Sequence, residues 1–520
     1  MAPLLRPGFL LTVDMIFTPR LRLPEQVTNT YPFFALLHFL NLAIPADILQ
    51  KLILFGALLL MGLGGYYLAR HVLTVVKRKS SALPYAAGLL SMLNPFVYDR
   101  FMAGQYLVLL GYALLPWVSL VLLQFWQRPN WRRAWQLSGL CLAVSVVSIH
   151  ATGFVVIAVV ASSIAFGWHH AQWRRAFALL LVSLGVFLVG ASYWLLPALF
   201  GKGATAEAIA GFTQADAQAF ATLGGGTLGR VMQVLQLQGF WQEGRELFTM
   251  PQAIMPIWRL GTLFLWVLVV IGAGVVWRQA RRYFWFFGCM ALLAIFVASG
   301  IGHSWLAAHI PFFAGYREPQ KFVALLALCY VAFMTVGAEW LLRRWQDWPT
   351  TQVFTKGAIY LLPFILAPTM LWGFAGQLRP RQYPTGWQII NQRLQADPQP
   401  QKVLFLPWHH YMSFGFADRL IANPAPAYFD APIITTSDPE IDNLTFAATK
   451  EQQSLTKALC TAAKDPQFGT KLSRYEVKYI MVAKELDYQQ YDYLKDHPEF
   501  HLVTDTDSMT LYRNQAFKGE

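Results

Sequence analysis

The sequence predicts an all-α polytopic membrane bundle of about ten transmembrane helices, followed by a C-terminal extracytoplasmic α/β domain. Three observations support this fold class. Apolar residues make up 56% of the 520 residues and charged residues 13%, whereas soluble proteins average about 25% charged residues. Apolar runs of about 20 residues, the length that crosses about 30 Å of hydrocarbon, recur through the first three quarters of the chain. The last quarter is polar and rich in proline.

The apolar runs define ten predicted spans. They lie at 48–76, 82–98, 106–125, 134–150, 152–168, 176–198, 259–277, 283–302, 321–342 and 357–375. The apolar stretch 31–42 is too short to cross and is interpreted as an interfacial or re-entrant segment.

The distribution of charge predicts the orientation of these spans. One set of alternate loops holds fourteen basic residues and one acidic residue, Asp347, so these loops account for the whole net charge of +13. Their basic residues are Lys77, Arg78, Lys79, Arg128, Arg132, Arg133, Arg174, Arg175, Arg278, Arg281, Arg282, Arg343, Arg344 and Lys356. By the positive-inside rule these loops are cytoplasmic and both termini lie outside. The net positive charge is therefore explained by the orientation of the helices in a cell (inner or plasma) membrane. We expect membrane lipids as partners and no nucleic acid.

Three regions are predicted from this topology. Residues 1–47 form an outer-face re-entrant or juxtamembrane segment, residues 48–375 form the multi-span domain with an outer loop at 199–258, and residues 376–520 form the soluble α/β domain. In that domain, 403–407 and 479–482 are predicted strands, 484–496 an amphipathic helix, and 500–503 with 509–512 a closing hairpin.

Asp14 is the first candidate for chemistry, because it stands alone as a carboxylate on an apolar segment near the membrane. It could act as a general base towards an acceptor hydroxyl or as a ligand for a divalent cation such as Mg²⁺ or Mn²⁺. The structural alternative is an Asp that caps the N-terminus of a short helix.

Asp99 and Arg100 stand in a predicted short outer turn between the second and third spans. They form either a local ion pair or part of a polar site. His150, at the outer end of the fourth span, is either bonded to backbone or catalytic.

The sequence REPQKF at 317–322 is the most compact charged cluster on the predicted outer side. If Pro319 begins a helix, Lys321 lies in its first turn, and Arg317 with Lys321 and the free amides of that turn suits a phosphate group. Glu318 could orient Arg317. The alternative is anchoring at the interface by snorkelling side chains.

Several of these features together resemble the integral-membrane glycosyltransferases of the C-type fold (GT-C superfamily). They are Asp14 ahead of a long bundle, NPFVYDR at 94–100, SYWLLP at 192–197, REPQKF at 317–322 and the polar tail. The most similar branches are the bacterial YfhO-type membrane proteins and the large arabinofuranosyltransferase-like proteins.

The resemblance implies transfer of a sugar from a polyprenyl-phosphate-linked donor to an envelope glycan, lipid or protein on the outer face. It implies that Asp14 is the catalytic base or metal ligand, with Asp99 as a candidate acidic partner. It also implies that Arg317 and Lys321, with Glu318, bind the donor phosphate. Family members have one more transmembrane helix ahead of the acidic loop, so we expect a start site upstream of Met1 or a truncated chain.

Two other classes of function stay open from the sequence. A transporter or flippase of lipid-linked glycans would need polar residues at mid-span, and these spans hold few. A non-catalytic envelope scaffold would depend on the tail beyond residue 376 and not on Asp14 or Arg317.

Overall fold

The computed structural model describes residues 5–78, 82–167, 171–203, 206, 214–310, 312–397, 402–438, 440 and 450–518. The chain divides into two compact units. Of the described residues, unit 1 contains 23–37 and those within 51–377, and unit 2 contains 5–22, 38–50 and those within 378–518.

Helices make up most of the described chain between residues 31 and 366. In chain order they are α1 (Tyr31–Asn41), α2 (Ala46–Val75), α3 (Leu83–Met92), α4 (Pro95–Ala103), α5 (Tyr106–Gln127), α6 (Trp131–Val147), α7 (Ile149–Phe166), α8 (Trp173–Leu199), α9 (Gln214–Ala219), α10 (Gly226–Leu235), α11 (Pro251–Ile254), α12 (Trp258–Gln279), α13 (Arg281–Ala298), α14 (His303–His309), α15 (Val323–Arg344) and α16 (Pro349–Leu366). Short 3₁₀ turns at Trp241–Arg245, Phe313–Gly315, Pro319–Phe322 and Met370–Trp372 join some of them.

Seven helices in the described part of the chain are long and apolar enough to cross a membrane. They are α2, α5, α7, α8, α12, α13 and, with the turn before it, α15 as Pro319–Arg344. The protein is therefore a multi-pass membrane protein, and these helices confirm seven predicted spans. The predicted total of ten is not confirmed, because the ranges 82–98, 134–150 and 357–375 hold no helix of this kind. The short segment at 31–42 does form a helix, α1.

The predicted single span at 82–98 is wrong, because two short helices, α3 and α4, occupy this region. The helical conformation is interrupted at Leu93 and Asn94, and the Asn94 side chain accepts a hydrogen bond from Val97 N at 3.1 Å. An Asn at this position followed by Pro95 at the first helical position is a strong signal for a new helix start.

The centre of unit 1 is α15, whose apolar window is buried along its whole length. Two glycines allow α15 and α12 to approach each other closely. A Cβ on Gly272 would lie 1.8 Å from the backbone oxygen of Phe333, and one on Gly337 would lie 1.9 Å from that of Leu268. Small residues at such crossings allow helix backbones to pack directly in membranes.

Unit 2 contains the strands. They are β1 (Lys402–Leu406), β2 (Tyr411–Phe414), β3 (Arg419–Ala422), β4 (Ile433–Ile434), β5 (Val477–Ala483), β6 (Phe500–Asp505) and β7 (Met509–Asn514), with helices α17 (Thr385–Gln395), α18 (Ala425–Tyr428), α19 (Lys450–Thr461) and α20 (Phe468–Ser473). A mixed sheet has the order β4-β1-β5-β7-β6, and β2 and β3 form a separate antiparallel pair.

The predicted strands at 403–407 and 479–482 are confirmed as the adjacent parallel strands β1 and β5. Their buried apolar side chains are typical of strands covered on both faces. The predicted closing hairpin is confirmed as β6 and β7. Within the predicted helix at 484–496, the structure has a 3₁₀ helix over Tyr488–Lys495.

Candidate functional site

Helix α4 carries two charged residues in the interior of unit 1. Asp99 and Arg100 are each 1% exposed. The helix ends at Gly104, which has φ +85°, a conformation that favours glycine. The predicted placement of Asp99 and Arg100 in an exposed outer turn is wrong, because the cap at Asn94 makes this stretch helical and packing buries it.

Arg100 forms an ion pair with Glu318, a residue 218 positions further along the chain. One Arg100 Nη lies 2.9 Å from Glu318 Oε2 and 2.7 Å from Gln105 Oε1. The Gln105 amide also donates to both carboxylate oxygens of Glu318, at 3.3 and 3.4 Å. Arg100 and Glu318 are almost fully buried, so their charges compensate each other where water does not reach them.

Lys321 lies on the other side of Glu318, in the 3₁₀ turn that Pro319 begins. Its Nζ is 3.7 Å from Glu318 Oε2 and 3.2 Å from His150 Nε2. The expected turn after Pro319, with Lys321 in it, is confirmed.

His150, on the first turn of α7, is hydrogen-bonded to the segment that precedes the 3₁₀ turn of Pro319. Its Nε2 lies 3.1 Å from the carbonyl oxygen of Gly315, and the Tyr316 hydroxyl donates to the backbone oxygen of His150 at 2.7 Å. Gly153 gives the phenol room, because a Cβ there would lie 1.8 Å from Tyr316 Oη. The expectation that His150 is hydrogen-bonded to backbone is confirmed.

Two guanidinium groups rest on aromatic rings from the loop between α8 and α12. Arg100 Cζ is 3.9 Å from the centroid of the Phe240 ring, and Arg317 Cζ is 4.5 Å from that of Phe220. Cation–π contacts of this kind strengthen as water is excluded. The loop therefore covers Arg100 and Arg317 on one side.

The same loop brings a second carboxyl to Asp99. Burial and the neighbouring Glu243 raise the pKa of Asp99 well above its usual value, and burial also raises the pKa of Glu243. Two adjacent carboxyls in such a place cannot both ionise readily. Glu243 Oε1 accepts hydrogen bonds from the backbone amides of Gly239 and Phe240 at 2.9 and 2.8 Å.

Glu318 behaves in the opposite way. Its burial acts to raise the pKa, but the charges of Lys321, Arg100 and Arg317 together outweigh burial and hold the pKa at about 2. Glu318 is therefore ionised at neutral pH. Three basic side chains, Arg100, Arg317 and Lys321, therefore act on this one carboxylate, and together they are called the basic group.

Asp14 lies in unit 2, on an extended segment. The backbones of Phe9 and Arg381 exchange two hydrogen bonds of 2.8 Å each. Gln50 accepts from Leu10 N at 2.8 Å and donates to Leu10 O at 2.9 Å. These contacts fix the chain just ahead of Asp14.

The side chain of Asp14 is half-buried, and its Oδ1 accepts a hydrogen bond of 3.0 Å from the Tyr411 hydroxyl. In residues 5–78 no helix begins between Asp14 and Tyr31. The alternative that Asp14 caps a short helix is therefore wrong.

The structure brings four of the five predicted site residues, Asp99, Arg317, Glu318 and Lys321, into unit 1, and places the fifth, Asp14, in unit 2. Their functional roles stay predictions.

A family model matches this chain over residues 48–400; it describes DUF6541, a family of unknown function. The chain belongs to this family. Comparison with curated proteins gives no match.

Solved structures show which fold the DUF6541 chain has. It is similar to the cryo-EM structure of the arabinofuranosyltransferase AftD from mycobacteria, with a TM-score of 0.68 and 14% identity over 97% of this chain and 38% of AftD. Two classes of the AftD R1389S mutant match with a TM-score of 0.63 and 14% identity, over 94% and 98% of this chain and 37% and 40% of theirs. The chain thus has the same fold as the matching part of AftD, and it spans about two fifths of the length of AftD.

Sequence reasoning misses two contacts of this site, that of Arg100 with Glu318 and that of Glu243 with Asp99. The sequence leaves Arg100 as either a local ion pair with Asp99 or part of a polar site, and it does not single out Glu243. Both contacts join positions more than a hundred residues apart, which spacing along the chain does not reveal. The motif NPFVYDR held one usable signal, because Asn followed by Pro marks a helix start and so places Asp99 and Arg100 on a helix.

In the described ranges no group of three or more His, Cys, Asp or Glu side chains could hold a metal ion. A cation bound by Asp14 together with substrate phosphate stays a prediction.

Proposed function

We propose that this protein is a glycosyltransferase that moves a sugar from a polyprenyl-phosphate-linked donor to an envelope glycan, lipid or protein on the outer face of the membrane. The observation that carries the proposal is the basic group at the start of the span Pro319–Arg344. In it, the buried side chains of Arg100 and Lys321 and the half-buried side chain of Arg317 act on one ionised carboxylate, that of Glu318. It lies within a fold that membrane glycosyltransferases also have.

The reaction that we propose breaks the bond between the anomeric carbon of the sugar and the donor phosphate oxygen. The electron pair of that bond stays with the phosphate oxygen, so negative charge grows on the leaving polyprenyl phosphate. Arg317 and Lys321 would stabilise this charge, and Arg100 and Gln105 would keep Glu318 in place beside Lys321. Low local polarity makes such charge stabilisation stronger than it is in water.

The new bond joins the acceptor oxygen to the anomeric carbon, and the acceptor proton needs a base. We assign this role to Asp14, whose carboxylate is held by Tyr411. Asp99, which shares a proton with Glu243, would be a secondary polar contributor beside Arg100.

The test uses purified full-length protein with a synthetic farnesyl-phosphoryl arabinofuranose as first probe, chosen because AftD is named an arabinofuranosyltransferase. Other pentose and hexose donors follow. Release of farnesyl phosphate and incorporation of labelled sugar into membrane acceptors are measured together. We expect Asp14→Asn to abolish transfer and Lys321→Met to raise KM for the donor about tenfold or more.

Asp507→Asn, an exposed carboxylate of unit 2, is the control for Asp14→Asn and should transfer as the wild type does. Full transfer by Asp14→Asn would remove the base assignment, and unchanged donor KM in Lys321→Met would remove the phosphate assignment. Movement of a lipid-linked glycan across proteoliposomes without any sugar transfer would favour the transporter class instead.

A further inference from the structure

The hairpin formed by β2 and β3 is the part of unit 2 that reaches the segment carrying Asp14. Tyr411 and Ala422 stand opposite each other in its register. Ala422 N donates to the backbone oxygen of Val13 at 2.8 Å, and the Tyr411 hydroxyl donates to Asp14 Oδ1 at 3.0 Å. One pair of facing residues therefore holds two consecutive residues, the first by its backbone and the second by its side chain.

This double attachment restricts the carboxylate in two ways. The backbone bond at Val13 fixes where the Asp14 Cα lies, and the phenol bond selects one orientation of the side chain. An Asp side chain on an otherwise irregular segment would sample several rotamers. The hydrogen bond from Tyr411 restricts these rotamers in advance, so less conformational entropy is lost when the carboxylate takes the orientation that reaction requires.

From this geometry we propose that Tyr411 is a positioning residue that orients the Asp14 carboxylate, and that the β2–β3 hairpin serves to present Asp14. The proposal rests on the proposed function for the role of Asp14 as base. A phenol that donates to a carboxylate favours the ionised form of that carboxylate. Tyr411 thus keeps Asp14 both oriented and ready to accept a proton.

The first experiment needs no sugar donor. Full-length protein in detergent is treated with a water-soluble carbodiimide and glycine ethyl ester across a range of pH, and labelling of Asp14 is measured by mass spectrometry relative to exposed Asp507. Labelling requires the protonated carboxyl, so its midpoint reports the ionisation of Asp14. We expect Tyr411→Phe to move this midpoint upwards by about half a unit to one unit.

Tyr479→Phe is the matched control. Tyr479 also donates to an Asp of unit 2, with its hydroxyl 2.7 Å from Asp397 Oδ2, but Asp397 lies outside the segment of Asp14. This variant loses the same kind of bond and should leave the Asp14 midpoint unchanged. An equal shift in both variants would show a general loosening of unit 2 and would overturn the role of Tyr411.

A second substitution covers the case in which Tyr411→Phe fails to fold. Incorporation of 3-fluorotyrosine at position 411 keeps the shape of the side chain and makes the phenol a stronger donor. The midpoint should then move downwards. A midpoint that stays in place contradicts the contact between Tyr411 and Asp14.

The transfer assay separates this inference from the proposed function. We expect Tyr411→Phe to lower kcat about tenfold while KM for the donor changes by less than about twofold, with Tyr479→Phe at wild-type levels. If Asp14→Asn is inactive and Tyr411→Phe is fully active, Tyr411 is not a positioning residue although the base assignment stands. If Asp14→Asn is active, Asp14 is not the base of the proposed reaction. This conclusion does not depend on the pH midpoint of Asp14 labelling.

Discussion

The basic group of unit 1 and the acidic segment of unit 2 hold their charges by different means. In unit 1, Arg100, Glu318 and Lys321 are at most 6% exposed, and the Glu318 carboxylate pairs with both cations. In unit 2, Asp14 is half-buried, backbone pairings hold its segment, and its carboxylate accepts a hydrogen bond from the Tyr411 phenol. The first arrangement depends on electrostatic balance, and the second depends on chain geometry.

This difference predicts how each region responds to substitution. Removal of one member of a buried ion pair leaves an uncompensated charge, which typically costs about 3–5 kcal/mol. Loss of a single neutral hydrogen bond typically costs about 1 kcal/mol. Variants of the basic group should therefore alter folding as well as function, whereas variants near Asp14 should alter function with little loss of stability.

The largest expected effect is that of Glu318→Ala. Arg100 and Lys321 would stay buried without their carboxylate, so we expect the free energy of unfolding in mixed micelles to fall by about 3–5 kcal/mol. Asp492→Ala is the control, because Asp492 and Lys495 form an i,i+3 pair like Glu318 and Lys321 but are more than half exposed. A loss below about 1 kcal/mol in Asp492→Ala is expected, and an equally small loss in Glu318→Ala would contradict the comparison.

The same carboxylate predicts a dependence of stability on pH. The pKa of Glu318 is held at about 2, below the ordinary glutamate value of 4.5. A depressed pKa in the folded state contributes stability above pH 4.5, and this contribution is lost as the pH falls towards 2. In Glu318→Gln that part of the pH dependence should disappear. Parallel stability curves for wild type and Glu318→Gln between pH 5 and pH 3 would refute the assignment.

An intermediate effect is expected for Gly153→Ala. The added Cβ would lie 1.8 Å from Tyr316 Oη, so the phenol would have to leave its bond to the His150 backbone. Overpacking of this kind costs about 1–3 kcal/mol. Gly139→Ala, another glycine inside a helix but with nothing within 4 Å of its added Cβ, is the control and should lose no stability. Thermal unfolding of both variants in detergent tests the difference.

The smallest effect is expected for Tyr383→Phe in unit 2. The Tyr383 hydroxyl donates to the Phe17 carbonyl at 3.0 Å, three residues beyond Asp14. Its loss should cost about 1 kcal/mol in unfolding free energy and leave the pH dependence of Asp14 labelling unchanged. A shift as large as that expected for Tyr411→Phe would mean that general anchoring of the segment, and not the phenol of Tyr411, controls Asp14.

The sequence predicted the spans with long uninterrupted apolar runs, because hydrocarbon thickness sets their length directly. It also predicted β1, β5 and the final hairpin, since buried strands leave short apolar runs between turns. The single span at 82–98 was wrong because an Asn-Pro pair interrupts it. Arg100 lies 218 positions from its partner Glu318, and Tyr411 lies 397 positions from its partner Asp14. Neither local spacing nor composition encodes such contacts. The YfhO-type kinship and the helix ahead of Met1 stay predictions.

The crossing of α12 and α15 at Gly272 and Gly337 limits which parts of unit 1 can move. Two backbones in direct contact have no layer of side chains to deform, so sliding or rotation of one helix past the other would drive Phe333 O and Leu268 O into the facing chain. Lys321 lies in the turn that leads directly into α15, the helix that this close crossing holds. Under the proposed function, the movement that admits a donor would therefore come from the other side of Lys321, such as the loop that carries Phe220 and Phe240.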